Sequence, residues 1–163
     1  MTEEISPEEV RRLFDFNPDT GVLSWRVKTN SRAPAGSVAG YPAKHGHLRV
    51  KVKGRHYQVH RLAWAFMTGK WPADLIDHIN LDKADNRWAN LRECTSSQNA
   101  MNTTAQSHNK LGVKNVSKAH VGGYVASVCK DGIYQKKYFN NLSDADAWAK
   151  ARRNELHGVF AHD

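Results

Sequence analysis

The sequence predicts an α+β protein built from two modules. Its 163 residues give room for one ordinary domain or two small ones. Short extended segments with period-two alternation are interleaved with short capped helices along the first hundred residues. A polar stretch, Thr103–Lys110, is then followed by three strands and one helix in about fifty residues. The boundary is therefore expected between residues 1–106 and 107–163.

Ser6-Pro7-Glu8-Glu9 is a helix start, with Ser6 capping, Pro7 in the first turn and Glu9 closing a capping box. The helix should end near Asn17-Pro18, and Asp19-Thr20-Gly21 should turn into a strand over 22–27. Residues 29–46, rich in Gly, Ala, Pro and Ser, predict a loop with at most a short strand. In HLRVKVKG–RHYQVH, Leu48, Val50 and Val52 alternate with Arg49, Lys51 and Lys53, which predicts a hairpin turning at Gly54. A helix over 61–67 follows, stopped by Gly69 and Pro72. Leu75–Ile79 and Trp88–Arg92 are extended pieces around a polar turn, and Thr95-Ser96-Ser97-Gln98 opens a helix with a second capping box. Beyond the polar stretch come strands over 113–117, 124–130 and 133–139, with turns at Gly122-Gly123 and Asp131-Gly132. A helix from Ser143 runs to Gly158, with Ala145, Trp148, Ala149 and Leu156 on one stripe and Arg152 at its edge.

Composition narrows the function. Lys plus Arg number 24 against 16 Asp plus Glu, for a formal charge of +8 and a pI near 9.6. That balance favours a polyanionic partner. No window reaches the roughly 18 consecutive apolar residues of a membrane span, and the acidic start MTEEISPEEV is unlike a secretory leader. Cys94 and Cys129, with no CxxC, exclude a disulfide framework and a cysteine-based zinc site. An intracellular protein is expected. From Lys44 to Arg61 there are six cations (Lys44, Arg49, Lys51, Lys53, Arg55, Arg61), four histidines and no acid. A cationic sheet face of this kind can lie along phosphates.

The segment Asp77–Asn99 holds the chemistry. A strand end delivers Asp77 and His78 to opposite faces, a turn leads to Asn90, and a helix carries Asn99. Two strands and a helix of this kind supply what phosphodiester hydrolysis needs. A hard divalent cation on oxygen ligands neutralises phosphate charge, and an imidazole takes a proton from water near neutral pH. Asn80 and Asn86 read as turn formers and His60 as structural. Trp25, Trp64, Phe66, Trp71 and Trp88 read as core.

NPDTGVLSW, the run VHRLAWAF followed by GKWP, and DHINLDKADNRWANLRECTSSQNAMN resemble the HNH endonucleases of the phage and intron-encoded homing type. The resemblance implies a ββα-metal nuclease core with an N-terminal hairpin elaboration, acting on double-stranded DNA. It makes Asp77 and Asn99 the ligands of one divalent ion, His78 the general base and Asn90 its positioner. Asn99 stands where many HNH enzymes have a final histidine; an amide oxygen suits Mg²⁺ or Mn²⁺, and zinc is not expected as the working metal. Ends with 5′-phosphate and 3′-hydroxyl, a monomeric protein with no obligate protein partner and, for a phage-encoded chain, the bacterial cytoplasm follow as expectations.

KLGVKNV, GGYVASV, KKYFNNLSDADAWAKA and ELHGVFA resemble the Apetala-type DNA-binding domain of plant ethylene-response factors, which also occurs fused to phage HNH enzymes. There the sheet lies in the major groove, which admits a β-ribbon. The arginines that read guanine in plant members are Lys, Val, Ser or Cys here, so sequence preference does not carry over. Tyr124, Ala126 and Val128 should face the helix, leaving Lys114, Lys118, Ser127, Lys136 and Tyr138 on the outer face. Two other readings stay open on sequence alone: a non-catalytic DNA-binding regulator on an HNH scaffold, and an RNA-directed nuclease or binder.

Overall fold

The computed structural model describes residues 4–29, 33–105 and 109–161. The first three residues of the acidic start, part of the 29–46 loop and the middle of the polar stretch 103–110 lie outside the described residues. The chain divides into two compact units, Met1–Cys94 and Thr95–Asp163. That division precedes the polar stretch and assigns the third helix to the second unit.

The first unit begins with α1 (Pro7–Leu13), capped by Ser6, whose hydroxyl accepts the Glu9 N–H at 3.2 Å. The helix stops short of the expected Asn17, because Phe14-Asp15-Phe16 is better satisfied as β1 (Phe14–Phe16). Period-two alternation buries both phenylalanines and leaves Asp15 outside. β1 pairs antiparallel with β2 (Leu23–Trp25), setting Phe14 against Trp25 with ring centroids 4.5 Å apart. A short β3 (Tyr41–Pro42), β4 (Leu48–Val52) and β5 (Arg55–Gln58) form a three-stranded antiparallel sheet. Val50 and Val52 are buried while Arg49 and Lys51 are exposed, as the alternation predicts. Helix α2 (Val59–Thr68) starts directly after β5 and ends at Gly69, whose φ of 72° suits a residue without Cβ. Leu62, Ala63 and Ala65 are fully buried and join Val10, Phe14 and Leu23 in one core. Trp25 is buried in it, and Trp64, Phe66, Trp71 and Trp88 pack against it from partly exposed positions.

The last elements of this unit are β6 (Leu75–His78) and β7 (Leu91–Cys94), antiparallel partners that place Asp77 opposite Arg92 and His78 opposite Leu91. The second extended piece starts later than its sequence pattern implies. Trp88–Asn90 forms a single 3₁₀ turn, held by the Trp88 N–H donating to the Pro18 carbonyl at 2.9 Å.

The second unit opens with α3 (Ser96–Met101), closed at its start by the expected Thr95–Gln98 capping box. β8 (Val116–Lys118), β9 (Tyr124–Lys130) and β10 (Ile133–Phe139) form an antiparallel sheet in the order β10-β9-β8. The first of these is shorter than expected because the Asn109 amide donates to the carbonyls of Val113 and Val116, at 2.6 and 3.1 Å, and holds that stretch as a turn. Helix α4 (Leu142–His157) covers one sheet face, capped by Asn141. Val116, Ala126, Ala145 and Ala149 form the small core, and the alanines allow close approach. Two details correct the sequence reading. Arg153 rather than Arg152 turns inward: it is 1% exposed and its guanidinium donates to the Lys114 carbonyl at 3.2 Å, whereas Arg152 pairs with Glu155. Lys114 is half-buried with Nζ on the Met101 carbonyl, and Lys118 lies opposite Tyr124, in register with the helix-facing set. The outer face is carried instead by Tyr134, Lys136 and Tyr138, opposite Cys129, Ser127 and Val125.

Candidate active site

His78 is the last residue of β6 and is 3% exposed. Its Nε2 lies 3.2 Å from the Asn86 Oδ1. The Asn86 amide nitrogen donates to the Ala84 carbonyl at 3.3 Å, which fixes the amide so that Oδ1 faces the ring. An amide oxygen only accepts, so Nε2 carries the proton and the lone pair resides on Nδ1. Asn86, which its sequence context marks only as a turn former, is 1% exposed and orients the imidazole. Burial lowers the pKa of His78 below the ordinary imidazole value, against smaller raising effects from Asn86 and Asp77. The ring is therefore neutral near pH 7, as a proton acceptor must be.

Asn90 acts on the loop that carries these groups. Its Oδ1 accepts the Asn80 N–H at 2.9 Å and its Nδ2 donates to the Asp85 carbonyl at 2.7 Å, tying both ends of the turn together. Ile79 N–H donates to the Asn90 carbonyl at 2.9 Å, which continues the tie into the end of β6. The turn is braced further by Asn80 donating to Asp85 at 2.7 Å and by Arg87 beside Asp85, which holds the Asp85 carboxyl well below the usual range.

Asp77 points to the other side of the strand and is 4% exposed. Its Oδ2 accepts from Arg92 Nε at 2.8 Å and Nη2 at 2.7 Å. The cross-strand register produces this pair, and it fixes the carboxylate's orientation. Asp77 and His78 on β6 and Asn90 at the end of the 3₁₀ turn before β7 thus belong to the first unit, while Asn99 lies exposed on α3 of the second.

Two histidines to which the sequence assigns no functional role lie beside His78. His47, from the turn before β4, and His60, the second residue of α2, have ring centroids 5.5 and 5.0 Å from that of His78 and 4.9 Å from each other. One ligand nitrogen from each ring lies within 4.8 Å of the other two. His60, read from sequence as structural, is 3% exposed, and its pKa is lowered to about 3, first by burial and then by His78 and His47. No sequence spacing signals this cluster, because its members come from three separate elements.

On the cationic hairpin, Arg49 and Lys51 project from the exposed side of β4. Lys53 is engaged by Glu9, Arg61 by the Asp74 carbonyl at 2.9 Å, and Arg55 lies over the Tyr57 ring at 5.7 Å.

Residues 57–101 match the family model of HNH endonucleases. That segment spans Asp77, His78, Asn86, Asn90 and Asn99. Over that segment the chain is similar to HNH endonucleases. The chain is 36% identical over 107 residues to an uncharacterized HNH endonuclease of Acanthamoeba polyphaga mimivirus, a match covering 64% of this chain and 55% of the relative. The chain thus spans about half the length of that curated relative. A solved structure of DNA binding and cleavage by the HNH homing endonuclease I-HmuI aligns with a TM-score of 0.45 at 20% identity, over 83% of this chain and 78% of that one. The HNH family match ends within α3. Among the described residues no helix is long and apolar enough to cross a membrane.

Proposed function

We propose that this chain is a metal-dependent DNA endonuclease of the homing type, which hydrolyses phosphodiester bonds in duplex DNA at preferred sites. The observation that carries the reading is that His78 stands on the HNH-matching ribbon with its Nε2 held 3.2 Å from the Asn86 amide oxygen. Nδ1 accepts the proton of the attacking water, and the Nε2–H bond to Asn86 keeps the ring from rotating as charge develops. Asn90 is a positioning residue: it holds the turn from which Asn86 projects. Asp77 supplies a carboxylate, a hard donor that suits Mg²⁺ or Mn²⁺, and the HNH resemblance alone gives Asn99 as a further ligand through its amide oxygen. When bound, such an ion offsets phosphate charge in the transition state and stabilises the leaving oxygen. Arg92 keeps Asp77 in one orientation.

DNA contacts come from two places. Arg49 and Lys51 present a cationic strand face in the nuclease module, residues 1–106. The sheet of residues 107–163 presents Tyr134, Lys136 and Tyr138 on the face away from α4, which suits an Apetala-type, sheet-in-groove DNA-binding module. The protein acts as a monomer inside the cell that holds its substrate.

The test is cleavage of supercoiled plasmid carrying the source genome's DNA. EDTA should stop it and Mg²⁺ or Mn²⁺ should restore it. His78→Ala should lower turnover by about 10²–10⁴-fold, the usual worth of a general base, with DNA affinity within a few-fold. Near-normal turnover in His78→Ala, or cleavage that persists in EDTA, overturns the proposal.

A further inference from the structure

We propose that His47, His60 and His78 form a three-imidazole site for a borderline divalent ion of the zinc class, and that its occupation switches cleavage off. The inhibitory half rests on His78 being the general base; the binding half stands on geometry alone.

Three elements converge on one point. The ring centroids make a nearly equilateral triangle with sides of 4.9, 5.0 and 5.5 Å. Their ligand nitrogens lie within 4.8 Å of one another. Three nitrogens bound at about 2.0–2.1 Å in tetrahedral geometry sit about 3.3 Å apart, so the rings need to close by roughly 1.5 Å. His47 can supply most of that movement, because it is only half-buried and sits in the turn closed by Gly46 N–H on the Ala43 carbonyl.

The cluster also has unmet bonding capacity. Nδ1 of His47 and Nδ1 of His60 are buried without a hydrogen-bond partner. Buried polar nitrogens are ordinarily paired, and a metal ion is one way of satisfying a set of them. The Asn86 carbonyl on His78 Nε2 is the outer contact that a metal-binding imidazole ordinarily has.

The donor chemistry separates this site from the Asp77 carboxylate. Three neutral imidazoles with no carboxylate favour zinc, cobalt, nickel or copper over magnesium. A fourth position stays open, as in three-histidine sites generally. An ion seated there takes the lone pair that His78 would otherwise offer to water. The nuclease then keeps its hard-metal donors and loses its base.

The probe is Co²⁺, titrated into the metal-free full chain and then displaced by Zn²⁺. One equivalent should give the intense visible absorption of tetrahedral cobalt, and zinc should abolish it. His47→Ala, at the half-buried ligand, should weaken the apparent affinity by at least about tenfold, since even outer contacts of a metal site are worth 10–100-fold. Zinc should inhibit Mg²⁺-supported cleavage by the wild type, with its midpoint raised at least tenfold in His47→Ala. Imidazole ¹⁵N spectra of the wild type keep the test independent of any variant's folding: one equivalent of zinc should shift the signals of these three histidines. No tetrahedral band, a band unchanged in His47→Ala, or shifts confined to other histidines overturns the binding site. A His47-dependent band without zinc inhibition, while His78→Ala still abolishes cleavage, overturns the switch alone. A His78→Ala protein that cleaves normally overturns the base assignment and leaves the metal site standing.

Discussion

Gly21→Ala tests how the site loop is supported from outside. Gly21 has φ of 71°, and a Cβ there would lie 2.5 Å from the Asn86 carbonyl carbon and closer still to the Arg87 backbone nitrogen. Backbone atoms cannot rotate aside as a side chain can. Alanine in the left-handed region costs about 1–2 kcal/mol. Displacing the loop by about an ångström also strains the Trp88–Pro18 hydrogen bond, worth about 1 kcal/mol. The total is about 2–3 kcal/mol, and typical domain stability of about 5–15 kcal/mol leaves the variant folded. Because Asn86 orients His78, the same displacement should lower turnover by about 10²-fold, the usual cost of a 1 Å misplacement at a reacting group. Gly36→Ala is the control: its φ is 79° and a Cβ would meet nothing within 4 Å. It should lose only the left-handed strain and keep full turnover. Urea denaturation gives the stabilities, and plasmid cleavage below the transition gives the rates. If Gly21→Ala is no worse than Gly36→Ala in both assays, the loop does not depend on this contact.

Stability should fall in acid through His60. Its folded pKa is depressed to about 3 by burial, so the unfolded chain takes the proton first as pH drops below about 6.5. The contribution is complete above that value and is lost at roughly 1.4 kcal/mol per pH unit down to about 3. Melting temperature against pH should show a steeper acid limb for the wild type than for His60→Gln; equal limbs refute it. In the second unit, Lys136→Ala should lower the salt slope of log affinity for duplex DNA by about 0.9. Tyr138→Ala should weaken binding without changing that slope, and two variants identical to wild type would remove this sheet face from the DNA interface.

Much of the architecture is legible in local pattern. The Leu48–Val52 alternation, the Ser6 and Thr95 caps and the glycine turns of the last sheet are short-range physics, set by residues a few positions apart, so they are read directly. Asp77 and His78 are legible as a candidate pair because neighbouring strand residues face opposite ways. Local pattern fails where a distant partner decides. Phe14-Asp15-Phe16 leaves the helix because Leu23 and Trp25 offer it a buried ladder. Arg153 turns inward because the carbonyl of Lys114 awaits it on another element. By itself the sequence determined most of the short elements and marked Asp77 and His78 as residues that can do metal and acid–base chemistry. Only the tertiary structure decided that Asn86 holds the imidazole and that His47 and His60 meet His78. Hydrogen bonds and lone pairs are matched in space, and contacts between a turn, a helix start and a strand end leave no period in the chain.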